Sequence, residues 1–324
     1  MANVMSFITN QISAFTSASF FSTAIFGIIA LVMVSFSWVL VGVIAGKAPK
    51  LGYTMEAIYI TGSLLSMIFA GAICFFTGIG KCDFVPMFWT AAAFFLTGAG
   101  CFVKGLIMSR IMQCGPNGII WAIIQSAMLF PFVFGVVFYD VKLSMIRGIG
   151  MVLMLVALAM FAFSKDNSSK GTGSWQFWTF FSLVLGGLDQ IVTSVPFYYP
   201  QTKGISSMFN IFWLMAGYFV IGVVAIFLKK NLWNNLKTSV KEWSFWIQSL
   251  ALLPLSGLFV ILFQFPGMRA MAENGLGAMS FPILVGSCVS LFTLYSAVIL
   301  KEKFRIADFS ALVVCVVGQI MPCM

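Results

Sequence analysis

The chain has no histidine, and only nine of its 324 residues are aspartate or glutamate. Without an imidazole there is no histidine relay, no histidine-ligated metal and no serine–histidine nucleophile. Charged residues of either sign make up 8% of the chain, where a soluble domain usually carries ~25%. A water-facing surface cannot be assembled from that supply. The seven cysteines, Cys74, Cys82, Cys101, Cys114, Cys288, Cys315 and Cys323, show no metal-like spacing and mostly sit in apolar runs, where a thiol acts as a small hydrophobe. The stretch Gly42-Val-Ile-Ala-Gly-Lys47-Ala is not a phosphate-binding loop, because its glycines stand one residue too close and no Ser or Thr follows the lysine. With no nucleotide-binding domain, ATP-driven pumping would need a second chain. The net charge of +9 is scattered, with no basic block and no nucleic-acid motif. The N-terminus lacks the charged region and cleavage site of a signal peptide, so an uncleaved first span is expected from Ser22 onward.

What the chain has is apolar sequence. Hydrophobic residues account for 61%, with 36 Phe and 20 Met, and the mean hydropathy is +1.04. About 20 apolar residues cross a bilayer as a helix. Charge, Pro and Gly divide the chain into ten such segments: 22–45, 54–79, 85–108, 117–138, 145–163, 176–199, 205–228, 244–265, 276–299 and 306–322. Each is expected to be helical, since an open sheet cannot satisfy its backbone in lipid.

A polar linker at 164–175 separates an N-terminal half, 1–163, from a C-terminal half, 176–324, with five segments in each. The halves echo one another. Arg110-Ile-Met112 closes the third segment and Gly118 follows; Arg269-Ala-Met271 closes the eighth and Gly277 follows. Asp140-Val-Lys-Leu ends the fourth segment as Glu302-Lys-Phe-Arg ends the ninth, and Lys50-Leu-Gly52 is matched by Lys203-Gly204. An odd number of spans per half inserts the halves in opposite senses. The expected fold class is therefore all-α integral membrane, with ten transmembrane helices as two inverted five-helix repeats.

Lys and Arg distribute unevenly between the two faces this threading creates. One holds Lys47, Lys50, Arg110, Lys165, Lys170, Lys229, Lys230, Lys237, Lys241, Lys301, Lys303 and Arg305; the other holds Lys81, Lys142, Arg147, Lys203 and Arg269. The positive-inside rule puts the richer face in the cytosol and both termini outside.

Ten spans, two repeats and an acid–base step after the fourth and ninth spans resemble the drug/metabolite transporter superfamily, in its EamA-like branch. The residues carrying the likeness are Tyr139-Asp-Val-Lys-Leu-Ser-Met-Ile-Arg-Gly148 and Leu300-Lys-Glu-Lys-Phe-Arg-Ile-Ala-Asp-Phe-Ser310. The family's usual Gly-Glu step is here Tyr139-Asp140 and Lys301-Glu302, and Ser310 stands where Gly148 stands. A closer likeness, to the rhamnose–proton symporter and related sugar permeases, rests on Arg110-Ile-Met-Gln-Cys-Gly-Pro-Asn-Gly118, Gln264-Phe-Pro-Gly-Met-Arg269 and the Leu300-Lys-Glu step. The resemblance implies the fold rather than the cargo. It also implies cytosolic termini, against the charge count.

One carboxylate, Asp189, falls deep in the sixth segment within Gly186-Gly-Leu-Asp-Gln190. A charge at that depth costs at least ~2.5 kcal/mol. It reads as a proton-binding group that couples to a conformational cycle, or as a fixed structural partner of Lys104. The remaining candidates for substrate binding or coupling are Lys104, Gln125, Gln264, Gln190, Ser287, Trp38 and Trp121: amides offer donors and an acceptor to a polar solute, and indoles stack on a sugar face. The same amides can bind neighbouring helices, and the same indoles can pack against lipid. Most other Trp and Tyr read as interface anchors, and Glu56 as interfacial.

The function expected is secondary active transport of a small polar metabolite, sugar-like or another organic solute, proton-coupled and by alternating access. Export of amino acids or drugs is the rival reading within the class, and a non-transporting scaffold or sensor the rival outside it. Enzymatic activity is not expected, nor is a cofactor or metal. The partners expected are a small-molecule substrate, a proton or other coupling ion and the lipid bilayer, with no nucleic acid; a homodimer stays open. The place expected is the cell membrane as a multi-pass protein, the inner membrane in a bacterium.

Overall fold

In the computed structural model the described residues are 23–80, 82–138, 144–163, 174–194, 199–202, 204–274, 280–302 and 305–321. They form helices throughout, joined by short turns, and the only extended pairing among them is a bridge of Gly80 with Ile205. Helices α1 (Ala24–Lys47), α2 (Met55–Thr77), α3 (Phe84–Ile111), α4 (Asn117–Phe138), α5 (Met145–Phe163) and α6 (Ser174–Ser194) come first. Then come α7 (Ser207–Leu228), α8 (Lys230–Ser239), α9 (from Trp243 to Glu273), α10 (Ser280–Val298) and α11 (Ile306–Ile320). Among the described residues six stretches are long and apolar enough to cross a membrane: Ala24–Leu51, Met55–Thr77, Phe84–Ile111, Asn117–Phe138, Ser207–Leu228 and Trp243–Met268.

The apolar segments of the sequence thus reappear as helices, with three differences. The loop between the seventh and eighth segments contains a helix of its own, α8, whose Leu232 is buried and whose Trp233 is half exposed. The eighth segment runs on to Glu273 instead of ending at 265, and it is broken. It stops at Leu253 before Pro254, widens to a π-turn over Val260–Gln264, and resumes at Phe265. Pro266 has no N–H for the turn before it, which accounts for the widening. Pro131 likewise lacks an N–H for the turn before it in α4, but there Ser126–Met128 tighten to a 3-10 turn instead. The linker at 164–173 and the Asp140 step lie outside the described residues.

Large apolar side chains face outward along the long helices, for example Ile25, Phe36, Phe75, Trp89, Leu96, Phe227 and Leu262. Small hydroxyls face inward, and Ser35, Ser63, Ser126, Thr179, Ser249 and Ser296 are buried. That inversion suits a lipid solvent, in which apolar surface carries no penalty and polar groups are better turned inward. Ser35 Oγ donates to Leu284 O at 2.7 Å across two helices, and Ser109 Oγ donates to Ala45 O at 2.8 Å.

Successive packing runs α3–α6–α4–α10–α1–α9 and returns through α2 and α7, while α5 packs on α11. The tightest crossing is glycine-made. A Cβ on Gly98 would lie 1.9 Å from Leu214 O, and one on Gly217 2.1 Å from Phe95 O. Only hydrogen fits at either place, so the α3 and α7 backbones touch. The turns gather at two ends. At one, Gln113 Nε2 donates to Gly46 O, Lys229 pairs with Glu56 at 2.7 Å, and the Tyr53 hydroxyl donates to the Glu242 carboxylate, which raises its pKa above that of an ordinary tyrosine. At the other, Ser206 N donates to Ile79 O and the Cys82 thiol to Gln201 O. The first end also carries Lys47, Lys50, Arg110, Lys237, Lys241 and Lys301.

Candidate functional site

Thr97, Cys101 and Lys104 recur at helical spacing, so α3 presents them on one face. Asp189 reaches that face from α6. Its Oδ2 lies 3.6 Å from Lys104 Nζ and accepts from the Cys101 thiol at 3.4 Å. Lys104 also donates to Cys101 Sγ at 3.6 Å, which closes a triangle of ammonium, carboxylate and thiol. Both charged side chains are largely enclosed, at 22% and 12% exposure for Lys104 and Asp189. Glycines provide the space. A Cβ on Gly100 would meet Asp189 Oδ1 at 2.3 Å, and one on Gly186 would meet Lys104 Cδ at 3.4 Å.

Aromatic side chains back the triangle. Tyr59 of α2 packs on Phe102 and on Tyr218 of α7, with ring centroids 5.8 and 5.6 Å apart. Tyr218 also reaches the Cys101 sulfur. Neither tyrosine is an interface anchor, the role the sequence suggested for most Trp and Tyr: Tyr59 is 2% exposed and Tyr218 is packed against the core. Cys101, Tyr59 and Tyr218 were the members missed. The i, i+3 relation of Cys101 to Lys104 was visible in the sequence, but that α2 and α7 would converge on it was not.

Of the residues predicted for the site, Asp189 and Lys104 meet. Gln190 follows Asp189, half-buried, its carbonyl accepting from Thr193 Oγ1 at 3.1 Å. Trp121 is buried elsewhere, stacked on Phe292 with centroids 4.8 Å apart, and faces Cys288. Ser287 is half-buried one residue before that cysteine. Gln125 is half-buried just before the 3-10 turn of α4. Trp38 is half-buried between two apolar clusters. Gln264 lies in the π-turn of α9, its Nε2 3.9 Å from Met268 Sδ and its Oε1 without a hydrogen-bond partner among the described residues.

Cavities formed by described residues include one between α1, α4 and α10 at the basic end, one over the α1–α2 turn beside Arg110, one on the outer face of α5, and one between α2, α7 and α9 beside the break at Pro254. Asp189 and Lys104 line none of these four. Among the described residues no cluster of His, Cys, Asp or Glu is placed to hold a metal.

Chemically, the triangle can hold a charge pair in low dielectric and can take up a proton. Opposite charges 3.6 Å apart attract by roughly 4–5 kcal/mol at an effective dielectric of about 20, an attraction that desolvation of both groups largely offsets. A balance that close is readily tipped. No family model and no curated protein matches this chain.

Proposed function

We propose that the chain is a secondary transporter of a small polar organic solute, with ten membrane spans built as two inverted repeats and Asp189 as its coupling group. The observation that carries this reading is the Lys104–Asp189 pair, held between α3 and α6 in a bundle whose outer surface is apolar. Ionisable groups inside membrane helices are rare and mark ion or substrate paths.

The packing supports the repeat. Exchanging α1–α5 with α6, α7, α9, α10 and α11 turns the pair α3–α6 into α9–α1, α4–α6 into α10–α1 and α3–α7 into α9–α2. It returns α2–α7, α4–α10 and α5–α11 to themselves, and each of these pairs is in contact. The turns support ten antiparallel spans, because the contacts between them join only turns that such a threading puts on one side. Glu302, in the step that resembles the EamA-like pattern, ties the halves together by accepting from Asn117 N at 2.8 Å and from Gly118 N at 3.2 Å. The excess of Lys and Arg at that end makes it the cytosolic one.

In the mechanism, the two bundles rock about α2 and α7. A proton entering from one side neutralises the Asp189 carboxylate and releases Lys104. Return of the proton to the other side restores the pair, so each state of the carboxyl group favours one arrangement of α3 against α6. The test is solute uptake into proteoliposomes with and without a pH gradient. Uptake that responds to the gradient, and is lost in Asp189→Asn protein that still inserts and unfolds cooperatively, is the expected result. Gradient-driven uptake by Asp189→Asn at the native rate removes Asp189 from the mechanism. No flux of any solute across a broad metabolite panel removes transport.

A further inference from the structure

Lys104 Nζ stands 3.6 Å from Asp189 Oδ2, near enough to attract the carboxylate but too far to hydrogen-bond with it. The Cys101 thiol is nearer and donates to the same oxygen at 3.4 Å. Its sulfur also accepts from Lys104 Nζ at 3.6 Å, so the thiol lies between the two charges and bonds with both. The rest of Asp189 is held from other sides. Its Oδ1 is seated against Gly100, where a Cβ would come within 2.3 Å, and its backbone carbonyl accepts from Thr193 Oγ1 at 2.8 Å.

Cys101 has a further neighbour. Tyr218 of α7 hydrogen-bonds with its sulfur, and the Tyr218 ring is wedged against Tyr59 and Phe102, with centroids 5.6 and 6.4 Å away. The two links of the thiol differ in firmness. Cys101 follows Gly98 by three residues and Tyr218 follows Gly217 by one, and at those glycines the α3 and α7 backbones touch. Backbone that leaves no room even for a methyl group cannot slide without rebuilding the crossing. Between α3 and α6 the glycines face side chains instead: Gly100 the Asp189 carboxylate, Gly186 the Lys104 stem. Side chains can change rotamer where backbone cannot. The thiol is therefore fixed relative to α7 and movable relative to α6.

We infer that Cys101 is the positioning residue of an Asp189 switch. Its one S–H hydrogen has two acceptors, the Asp189 carboxylate on α6 and the Tyr218 oxygen on α7. While the carboxylate is charged it is the stronger acceptor, and the thiol ties α6 to α3. A proton from solution that settles on Oδ2 ends that advantage, because the oxygen then carries a hydrogen of its own. The thiol turns to Tyr218 and the tie to α6 is released. The thiol keeps its proton throughout, and only hydrogen bonds are exchanged. Lys104 cannot act in this way alone, since a Coulomb attraction has no preferred direction. The inference rests on the proposed coupling role of Asp189 for its meaning in transport; the exchange of thiol partners can be tested without any solute.

The experiment uses the full chain in phosphatidylcholine nanodiscs. The infrared S–H stretching band of Cys101, isolated as the difference between native and Cys101→Ala protein, reads the bond directly. In native protein at neutral pH it is expected at low wavenumber, as for a thiol bonded to a carboxylate. It should move to higher wavenumber on acidification, and also in Lys104→Met/Asp189→Leu, whose thiol has only Tyr218 left. Hydrogen–deuterium exchange reads the tie between helices. Cys101→Ala is expected to speed exchange of the α6 amides around Asp189 by about tenfold, as suits loss of a hydrogen bond to a charged group. Cys101→Ser, which keeps a donor on a shorter arm, should restore most of the protection, with both unfolding midpoints near the native one. A band that stays in place on acidification or in the double variant overturns the proposal. So do native exchange in Cys101→Ala and equal loss of protection in the Ala and Ser variants, the latter because packing and not the donor is then at work. Solute flux separates this from the wider reading: gradient-driven uptake with an unmoved band removes the thiol switch and leaves transport standing, and a band that moves as expected in a protein that carries no solute does the reverse.

Discussion

Lys104 and Asp189 are each tolerable only because the other is there. Removing one member of a buried pair typically costs ~3–5 kcal/mol, whereas replacing both by apolar side chains of similar volume is often close to neutral. Lys104→Met is therefore expected to lower the unfolding midpoint clearly in detergent, and the double variant Lys104→Met/Asp189→Leu to recover most of that loss. If the pair works in transport, the double variant stays folded and moves nothing; full flux from it makes the pair a structural fixture. Glu302 acts through the backbone. Glu302→Ala strands two N–H groups at the first turn of α4 and is expected to destabilise by ~1–2 kcal/mol, read as a lower midpoint, with Glu302→Gln intermediate because one acceptor oxygen remains.

Among the helices, the α3–α7 crossing is the least forgiving. Gly217→Ala puts a methyl group 2.1 Å from Phe95 O, and Gly98→Ala puts one 1.9 Å from Leu214 O. In both cases the obstacle is backbone, which cannot turn aside as a side chain can. Each substitution is expected to cost ~1–3 kcal/mol from overpacking, measured by thermal unfolding in detergent. Gly148→Ala is the control: nothing lies near its missing Cβ, so its midpoint should stay within error of the native one. A native-like midpoint for Gly217→Ala would mean that the two helices are not in backbone contact. The break in α9 has no counterpart in α3, which runs unbroken from Phe84 to Ile111. On the proposed repeat the two halves would share a packing plan without sharing helix geometry.

For the whole molecule, the ten-span reading fixes which side each turn occupies. Cys82 and Cys114 flank α3, and Asn234 lies on α8 at the basic end. An impermeant maleimide applied to intact cells is expected to modify Cys82 and to spare both Cys114 and a cysteine introduced by Asn234→Cys; inverted vesicles should give the opposite pattern. Cys114 and position 234 on opposite sides would mean an odd number of spans between them and would undo the threading. The position of the termini, which the charge count and the family resemblance dispute, lies outside the described residues.

Composition and spacing were enough to determine that this chain is a bundle of apolar helices, because a lipid solvent leaves a backbone few other ways to satisfy its hydrogen bonds. They also placed most helix ends, since Pro, Gly and charge stop apolar runs wherever those occur, and they singled out Asp189 as misplaced. What sequence could not reveal is which helices touch. Lys104 was only one of two readings for Asp189 until α3 met α6, and Tyr59 and Tyr218 become interior groups only once distant helices are packed together. Those meetings depend on helix rotation and on glycines such as Gly98 and Gly217 that admit a neighbour's backbone. Both are properties of the assembled bundle and leave no local periodicity to read.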